Sequence, residues 1–440
     1  MEEIKKIALE FIESQRGEAK QISREIWNFS EIALEEFKSS ELLVEVLQQY
    51  GFDVQYGVGD LPTAFIATWG DSGPTIGILG EYDALPHCGN QHDKNGHGCG
   101  HNLFGTACVY AAISISKALE RTKTPGKVVC FGCPAEETLE GKVYMARDGA
   151  FEGLDAVLTW HPHWANYARG GSSNAMDSMV FEFHGKSSHA ARDPWNGRSA
   201  LDGIEIMNYG VNMMREHIIE EARIHYVIRD GGVQPNVVPS YSRVWYYVRA
   251  PKRSIVNELS KRVRQCAQAG AIASETEFKE TLLTGVYETL PNLALANCIQ
   301  RNLELVGEHK YNNEEKDFAK KLGFEDPLFE EILPLNLEHT RPSNERGNVS
   351  WITPLGSFYT ACHAPGTPGH HWLATQQYGM EIGEKGMETA AKTIATSALE
   401  LICNSDVLSE VQKEFKEKTK KFVYDPLVPK GQKPNPLGIR

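Results

Sequence analysis

Residues 127–151, KVVCFGCPAEETLEGKVYMARDGAF, set the fold class because a short apolar strand runs directly into a helical segment. The same order recurs on both sides: TIGILGEYDALP (75–86) precedes a small-residue helix through 107–119, and AVLTW (156–160) leads into HPHWAN (161–166). Strands that alternate with helices are typical of an α/β sheet. In open α/β sheets, ligands collect at the carboxyl ends of the strands, where the chemically interesting residues of this chain lie.

The composition is that of a globular chain with more than one domain. Its 440 residues, 41% hydrophobic and 23% charged, exceed what one ordinary core accommodates. A net charge of -13 disfavours nucleic acid or an anionic membrane as the main partner, and no apolar run predicts a bilayer span. Residues 1–20 show charged helical periodicity and the nine cysteines are scattered, which predicts a cytoplasmic protein with reduced thiols.

The order of predicted strands and helices changes near Asp177, and this change predicts an inserted domain. From there the chain reads strand, helix, two strands, helix, strand, the β-α-β-β-α-β order of a ferredoxin-like unit. We therefore expect a discontinuous catalytic metal-binding domain, residues 1–176 and 288–440, and an inserted domain, residues 177–287. The segment 308–346 carries no readable motif, and its position makes it a candidate rim of the substrate pocket.

Four clusters of potential metal ligands follow predicted strands or lie in glycine-rich loops. They are Cys99 and His101 in GHGCGHN, Glu136 and Glu137 in CPAEE, His161 and His163 after AVLTW, and His370 and His371 in PGHHW. Each cluster alone has an ordinary structural interpretation: a turn with a buried thiol, charge at a helix N-terminus, or hydrogen-bonded histidines. Four such clusters together favour a metal site over coincidence.

The ligand types indicate the chemistry of such a site. Five groups, Cys99, His101, Glu137, His161 and His370, are too many for one open tetrahedral site but suit two metals with a shared ligand. A thiolate with imidazoles favours zinc, while carboxylate and water positions leave manganese open. Glu136 could then take a proton from water and deliver it to a leaving amine, which is metal-assisted amide hydrolysis.

These motifs resemble those of the metal-dependent amidohydrolase and aminoacylase peptidases, which include carboxypeptidase G, hippurate hydrolase and the auxin-conjugate hydrolases. Among the branches of this family, the motifs most resemble those of the p-aminobenzoyl-glutamate hydrolases. The matching phrases run in order from about residue 80 to 375: EYDALP, GHGCGHN, CPAEE, GKSSHAARDPWNGRSALDG, GGVQPNVVP, YYVRAP and GTPGHHW. The resemblance implies a dimetal peptidase-type catalytic domain with a central mixed sheet flanked by helices. It also implies that the inserted ferredoxin-like α+β domain serves dimerisation and acts as a lid.

The resemblance also implies roles at the metal site. The implied ligands are Cys99, as the bridge, His101, Glu137, His161 and His370, with Glu136 as general base and acid. His370 is chosen over His371 by aligning PGHHW, which leaves a one-residue error open. Asp83 in EYDALP would stand behind the metal ligands, its alternative being a plain carboxylate at a strand end.

Further roles fall in the inserted domain. The resemblance implies that His189 reaches the partner subunit's active site and stabilises the oxyanion, which requires a homodimer; a loop-capping histidine is the alternative. Asn236 and Arg249 would bind the free carboxylate of the substrate, unless Arg249 is a surface arginine paired with an acid. Asn348 stands where relatives often carry an acidic residue.

We therefore expect a cytoplasmic homodimer with two zinc or manganese ions per subunit. Its reaction would cleave the amide between an acyl or aroyl group and an amino acid with a free carboxylate. The resemblance favours p-aminobenzoyl-glutamate or a similar folate breakdown product as substrate. The alternatives are an N-acyl-amino-acid or dipeptide hydrolase, and a catalytically silent, metal-stabilised protein beside a second subunit. All five predicted ligands and Glu136 are present in the sequence, which argues against a catalytically inactive protein.

Overall fold

The computed structural model describes residues 1–91, 93–324 and 328–434, and two β-sheets organise it. The strands are β1 (Asp53–Tyr56), β2 (Phe65–Trp69), β3 (Thr75–Glu81), β4 (Lys127–Cys133), β5 (Ala156–His163), β6 (Tyr167–Arg169), β7 (Ala175–His184), β8 (Arg223–Asp230), β9 (Tyr241–Ala250), β10 (Glu277–Val286) and β11 (Leu355–Ala361). The helices are α1 (Glu2–Ser14), α2 (Arg16–Phe29), α3 (Phe37–Gln49), α4 (His101–Thr122), α5 (Gly141–Arg147), α6 (Ala200–Met214), α7 (Arg253–Ser274), α8 (Leu293–Val306), α9 (Asn313–Lys321), α10 (Arg346–Ser350), α11 (Trp372–Tyr378), α12 (Glu381–Cys403) and α13 (Ser405–Thr419).

The larger sheet is mixed and has seven strands in the order β1-β2-β4-β3-β5-β11-β6. Its centre is parallel, since β3 pairs with β4 and β5 and β11 pairs with β5, while β1, β2 and β6 join antiparallel. The central strands are almost wholly apolar and buried because helices such as α4, α8 and α12 cover them. This sheet confirms the expected α/β class with a central mixed sheet.

Helix α4 is long and apolar enough to cross a membrane by length and composition alone, a feature that the sequence analysis did not identify. In the fold, 94% of its apolar window is buried inside the protein. It packs against β3 and α12, and residues such as Phe104, Val109 and Ile113 belong to the main apolar core. Its composition therefore reflects a central core helix.

The smaller sheet has four antiparallel strands in the order β10-β7-β9-β8. Helices α6 and α7 pack on one of its faces and enclose a separate apolar core that includes Phe181, Ile204 and Val263. The chain order β7-α6-β8-β9-α7-β10 is the expected ferredoxin-like unit. The domain boundaries at residues 177 and 287 stay a prediction.

Candidate metal centre

The parallel strands bring the predicted site residues to one edge of the larger sheet. Asp83 follows β3, Glu136 and Glu137 follow β4, and His161 lies near the end of β5. Neighbouring parallel strands end on the same side, so these side chains come together although they are far apart in the sequence. His101 joins them as the first residue of α4, after Gly100 turns the chain with a φ of 75°.

The five predicted ligands form two groups that share one residue. Cys99, His101 and His161 form one group, and Cys99, Glu137 and His370 form the other; the ligand atoms within each group lie within 4.8 Å of one another. Cys99 is the residue that both groups have in common, and its role as a bridging ligand stays a prediction. The side chain of His370 is 62% exposed and lies 3.8 Å from Glu137, so it closes the cluster on the solvent side.

The neighbouring histidine, His371, does not join the cluster. Its Nδ1 accepts a hydrogen bond from the Leu373 amide and caps the start of α11. The loop approaches the cluster closely, because a Cβ on Gly98 would lie only 3.1 Å from the Cα of His370. The structure therefore places His370 at the candidate centre.

Hydrogen bonds orient two histidine ligands for metal binding. His101 donates through Nδ1 to Asp83 Oδ1 at 2.9 Å, and His161 donates through Nδ1 to the Pro162 carbonyl at 2.7 Å. Each bond leaves Nε2 as the ring atom available to a metal. Asp83 accepts a second bond from the Glu137 amide at 2.9 Å, so it lies behind both His101 and Glu137.

The charges at the cluster are predominantly negative, a setting that favours the binding of cations. Burial opposes a charged imidazole at His101, but the charge of Asp83 and its hydrogen bond raise the pKa of His101 to about 10. Burial and the charges of Glu137 and Glu136 raise the pKa of the Cys99 thiol. Burial and the charges of Glu81 and Glu137 also raise the pKa of Glu136. Divalent cations would reverse these shifts by replacing protons that the excess of acidic groups otherwise holds.

Two buried polar atoms without a hydrogen-bond partner also support a site for cations. Among the described residues, neither His101 Nε2 nor Glu137 Oε1 has a hydrogen-bond partner, although both atoms are buried. The atom next to His101 Nε2 is Glu81 Oε2 at 3.3 Å, and it also lacks a hydrogen-bond partner among these residues. A buried polar atom without a partner is costly, and both His101 and Glu137 belong to the ligand groups defined above. The residues present therefore fit a metal centre.

The backbone is strained where it presents Glu136 and His370. Ala135, directly before Glu136, and His370 both have positive φ angles, 55° and 54°, which cost free energy for residues with a side chain. Glu36 holds the first turn, because its carboxylate accepts the Ala135 amide at 2.8 Å and the Thr63 hydroxyl at 2.8 Å. Such strain persists only where the surroundings fix the backbone.

The sequence analysis missed a buried ionic cluster next to the predicted ligands. Lys142 lies 2.8 Å from both Glu81 and Glu345, and all three side chains are almost fully buried. Glu81 also lies 3.3 Å from His101. The alternation of side chains along β3 could have found Glu81, which shares a face with Asp83 two residues later. No local signal connects Lys142 to Glu345, which is 203 residues away in the chain.

Asn344 is a second residue that sequence reasoning did not single out. Its side-chain amide donates to Glu136 Oε1 at 2.6 Å, and its Oδ1 accepts the Arg346 amide at 2.8 Å. It lies near the end of the segment 308–346, which therefore contributes at least one contact to the predicted general base. Asn348 instead bonds to Tyr287 and Tyr424, away from the ligands.

None of the residues predicted in the inserted unit, His189, Asn236 and Arg249, belongs to the ligand groups found among the described residues. His189 and Asn236 are exposed and lie together, since the Ala190 amide donates to the Asn236 carbonyl at 2.9 Å. Arg249 lies on β9 with its guanidinium 5.3 Å from the ring centre of Tyr247. Its buried Nε has no hydrogen-bond partner among the described residues.

Comparisons with known proteins agree with this architecture. Residues 172–275 match the M20 peptidase dimerisation domain. A subunit of the p-aminobenzoyl-glutamate hydrolase of Escherichia coli K12 is 36% identical over 480 aligned positions, which cover 99% of this chain and 100% of that protein. The Xaa-Arg dipeptidase of Mus musculus is 33% identical, with 94% and 93% covered. A dinuclear metal-binding peptidase of the M20 family from Bacillus subtilis, 16% identical, shares the fold with a TM-score of 0.59 over 89% of this chain and 99% of its own.

Lys142→Met should lower the free energy of unfolding by about 3–5 kcal/mol, because the Glu81 and Glu345 carboxylates would stay buried without their counter-charge. Urea denaturation followed by circular dichroism measures the change. Lys117→Met is the matched control, since it removes only a partly exposed ion pair with Glu120 and should cost less than about 1 kcal/mol. Equal losses in the two variants would contradict the assigned role of Lys142.

Proposed function

Because this chain belongs to the M20 peptidase family and is a hydrolase of amide bonds, we propose that it cleaves acylated amino acids with a free carboxylate. The proposed reaction releases an acyl or aroyl group from the amino nitrogen. One observation carries the proposal: five potential metal ligands converge in two groups that share Cys99, with Glu136 beside them. An acidic pair next to such ligands suits hydrolysis with a carboxylate as proton carrier.

The candidate centre would hold two divalent cations, zinc or manganese. Cys99, His101 and His161 would hold one, and Cys99, Glu137 and His370 the other. Bound cations of this kind polarise a carbonyl and lower the pKa of water. The thiolate and imidazoles favour zinc, and the carboxylate suits either metal.

Glu136 is the proposed proton carrier. It lies 3.9 Å from His101, and burial with the charges of Glu81 and Glu137 raises its pKa, which favours a carboxyl group that can carry a proton. Glu136 would accept a proton from the attacking water and return it to the nitrogen of the leaving amino acid. Asn344 fixes the carboxylate for this task through its hydrogen bond to Oε1. The other oxygen, Oε2, is the one nearer His101.

His189 is proposed to act across a homodimer. Its Nδ1 accepts from the Ala191 and Arg192 amides at 3.2 Å, which leaves a proton on Nε2 of the neutral ring. An exposed donor of this kind can stabilise an oxyanion in a partner's site. An apolar surface on the same unit supports dimerisation, since Tyr209 and Met213 on α6 are 67% and 52% exposed and Val227 on the edge strand β8 is 48% exposed.

The substrate is proposed from the carboxylate-binding groups and the relatives. Asn236 and Arg249 lie on the unit that carries His189, and the unpartnered Nε of Arg249 can donate to a carboxylate. The full-length relative from the p-aminobenzoyl-glutamate hydrolase of Escherichia coli supports p-aminobenzoyl-glutamate, a folate fragment, as the favoured substrate. Because that relative is one subunit of its enzyme, it also supports a second kind of subunit as a partner.

A dipeptide hydrolase is the second candidate, because the mouse relative is an Xaa-Arg dipeptidase. Comparing kcat/KM for aroyl-glutamate and dipeptide substrates separates the two. We also propose a reducing, cytoplasmic location, since the nine cysteines are free thiols in the structure.

Glu136→Gln should lower kcat for p-aminobenzoyl-glutamate by roughly 10²–10⁴-fold, because the amide cannot carry the proton. The metal content, measured by elemental analysis, should stay close to that of the wild type. Glu152→Gln, on an exposed residue, is the matched control and should retain full activity. An unchanged rate in Glu136→Gln would show that the proposed mechanism is wrong.

Mixing inactive subunits tests whether His189 acts across the dimer. His189→Ala and Glu136→Gln should each be nearly inactive, but mixed dimers contain one site with both residues intact. Random mixing should restore about one quarter of the wild-type rate, since about half of the dimers are mixed and each has one complete site. Mixing His189→Ala with the Glu136→Gln/His189→Ala double variant is the control and should restore nothing. No recovery in the first mixture would contradict the role across subunits.

A further inference from the structure

Two arginines flank Tyr359 beside the candidate metal centre. Arg169, at the end of β6, and Arg346, at the start of α10, are only 6% and 9% exposed. The Arg169 guanidinium lies 5.7 Å from the centre of the Tyr359 ring. The Arg346 side chain has a hydrogen bond with the phenol of the same tyrosine. The segment 308–346 thus ends at a buried cationic patch that the proposed mechanism does not use.

The described residues supply no carboxylate to neutralise this pair. Arg169 makes long contacts, 3.3 to 3.4 Å, to Asn336, Thr340 and the Glu338 carbonyl, and it also has a side-chain hydrogen bond with the Tyr167 phenol. The exposed Glu338 side chain is the acidic group that acts on Arg169 through its charge. The Nε atoms of Arg169 and Arg346 are both buried without a hydrogen-bond partner.

Such an arrangement is unfavourable in the absence of an anion. A guanidinium cannot give up its proton under ordinary conditions, so burial cannot neutralise it. Buried charges without a partner are unfavourable, and arginine is suited to bind carboxylates through two parallel hydrogen bonds. The two unpartnered Nε atoms, each more than nine-tenths buried with its side chain, therefore mark a place for an anionic group.

The patch adjoins the reacting centre. Asn344 accepts the Arg346 amide at 2.8 Å and donates to Glu136 at 2.6 Å, so a single side chain connects the patch to the proposed proton carrier. On the other side, the Tyr359 ring lies 6.2 Å from the ring of His161. A substrate whose amide lies at Glu136 would therefore have atoms within reach of the arginines.

The electrostatic effects on the neighbours agree with a local positive potential. Burial would raise the pKa of the Tyr359 phenol, but the charges of Arg346 and Arg169 lower it. His163 stacks on Tyr359 with 4.6 Å between the ring centres, so it belongs to the same patch.

We propose that Arg169 and Arg346 form a subsite for a second carboxylate of the substrate, the side-chain carboxylate of an acidic amino acid. This inference rests on the proposed function, in which Asn236 and Arg249 take the first carboxylate. The substrate class is then an acylated dicarboxylic amino acid. Cationic ends, such as the arginine of a dipeptide, are excluded because like charges would meet in a buried site.

A pair of substrates that differ only in this carboxylate tests the subsite. We would measure kcat/KM for p-aminobenzoyl-glutamate and p-aminobenzoyl-glutamine in the wild type, in Arg346→Gln and in Arg169→Gln. The wild type should prefer the glutamate substrate by roughly ten- to a hundred-fold, the range of a charge-assisted hydrogen bond. Each variant should lose most of this preference and keep its rate on the glutamine substrate. Arg301→Gln, which removes a half-exposed arginine paired with Glu400, is the matched control.

A binding measurement separates the subsite from the reaction. Glutarate, a simple dicarboxylate, should bind to the wild type in calorimetry and bind at least about tenfold more weakly to both variants. If the wild type hydrolyses no acylated amino acid but glutarate binding still depends on Arg346 and Arg169, the proposed function fails and the subsite stands. An equal loss on both substrates, with glutarate binding unchanged, would overturn the subsite and leave the function intact. Thermal denaturation of each variant identifies a folding defect. If one arginine variant is misfolded, the substrate preference and glutarate affinity of the other variant decide whether the subsite exists.

Discussion

The concentration of buried negative charge at one edge of the larger sheet is the constraint on which the rest of the structure depends. Glu81, Asp83, Glu136 and Glu137 come together there because parallel strands end on the same side. Four carboxyl groups this close cannot all ionise without cations. His101 and Lys142 supply part of the positive charge, and the unpartnered ligand atoms mark where divalent cations would supply the remainder.

The same constraint explains features that are distant from the centre in the sequence. Lys142 and Glu345 join α5 to the start of α10, and Asn344 connects this region to Glu136. The strained turn at Ala135 is held by Glu36, which directly precedes α3. The candidate centre therefore depends on contacts from several helices and loops around the larger sheet. The unit of the smaller sheet contributes the exposed residue His189.

The sequence predicted the fold class and the ligand groups because both leave local signals. Strand-helix alternation and glycine-rich loops with Cys, His and Glu can be read within short windows, as with Cys99 and His101. No such signal marked the ionic partners of Lys142, or the position of Arg169 and Arg346 beside Tyr359. Each of these contacts joins residues that are far apart in the chain. Arg346 has no distinguishing sequence pattern, but the fold buries it beside Tyr359, where its Nε lacks a hydrogen-bond partner among the described residues.

The most direct test of this account is the metal content of the purified protein, measured by elemental analysis and paired with hydrolysis of p-aminobenzoyl-glutamate after chelation and metal return. The account predicts about two zinc or manganese ions per chain, with activity lost on chelation and restored by one of these metals. A protein that binds no divalent metal under these conditions would contradict the central claim, because the buried acidic cluster would then have another source of compensation.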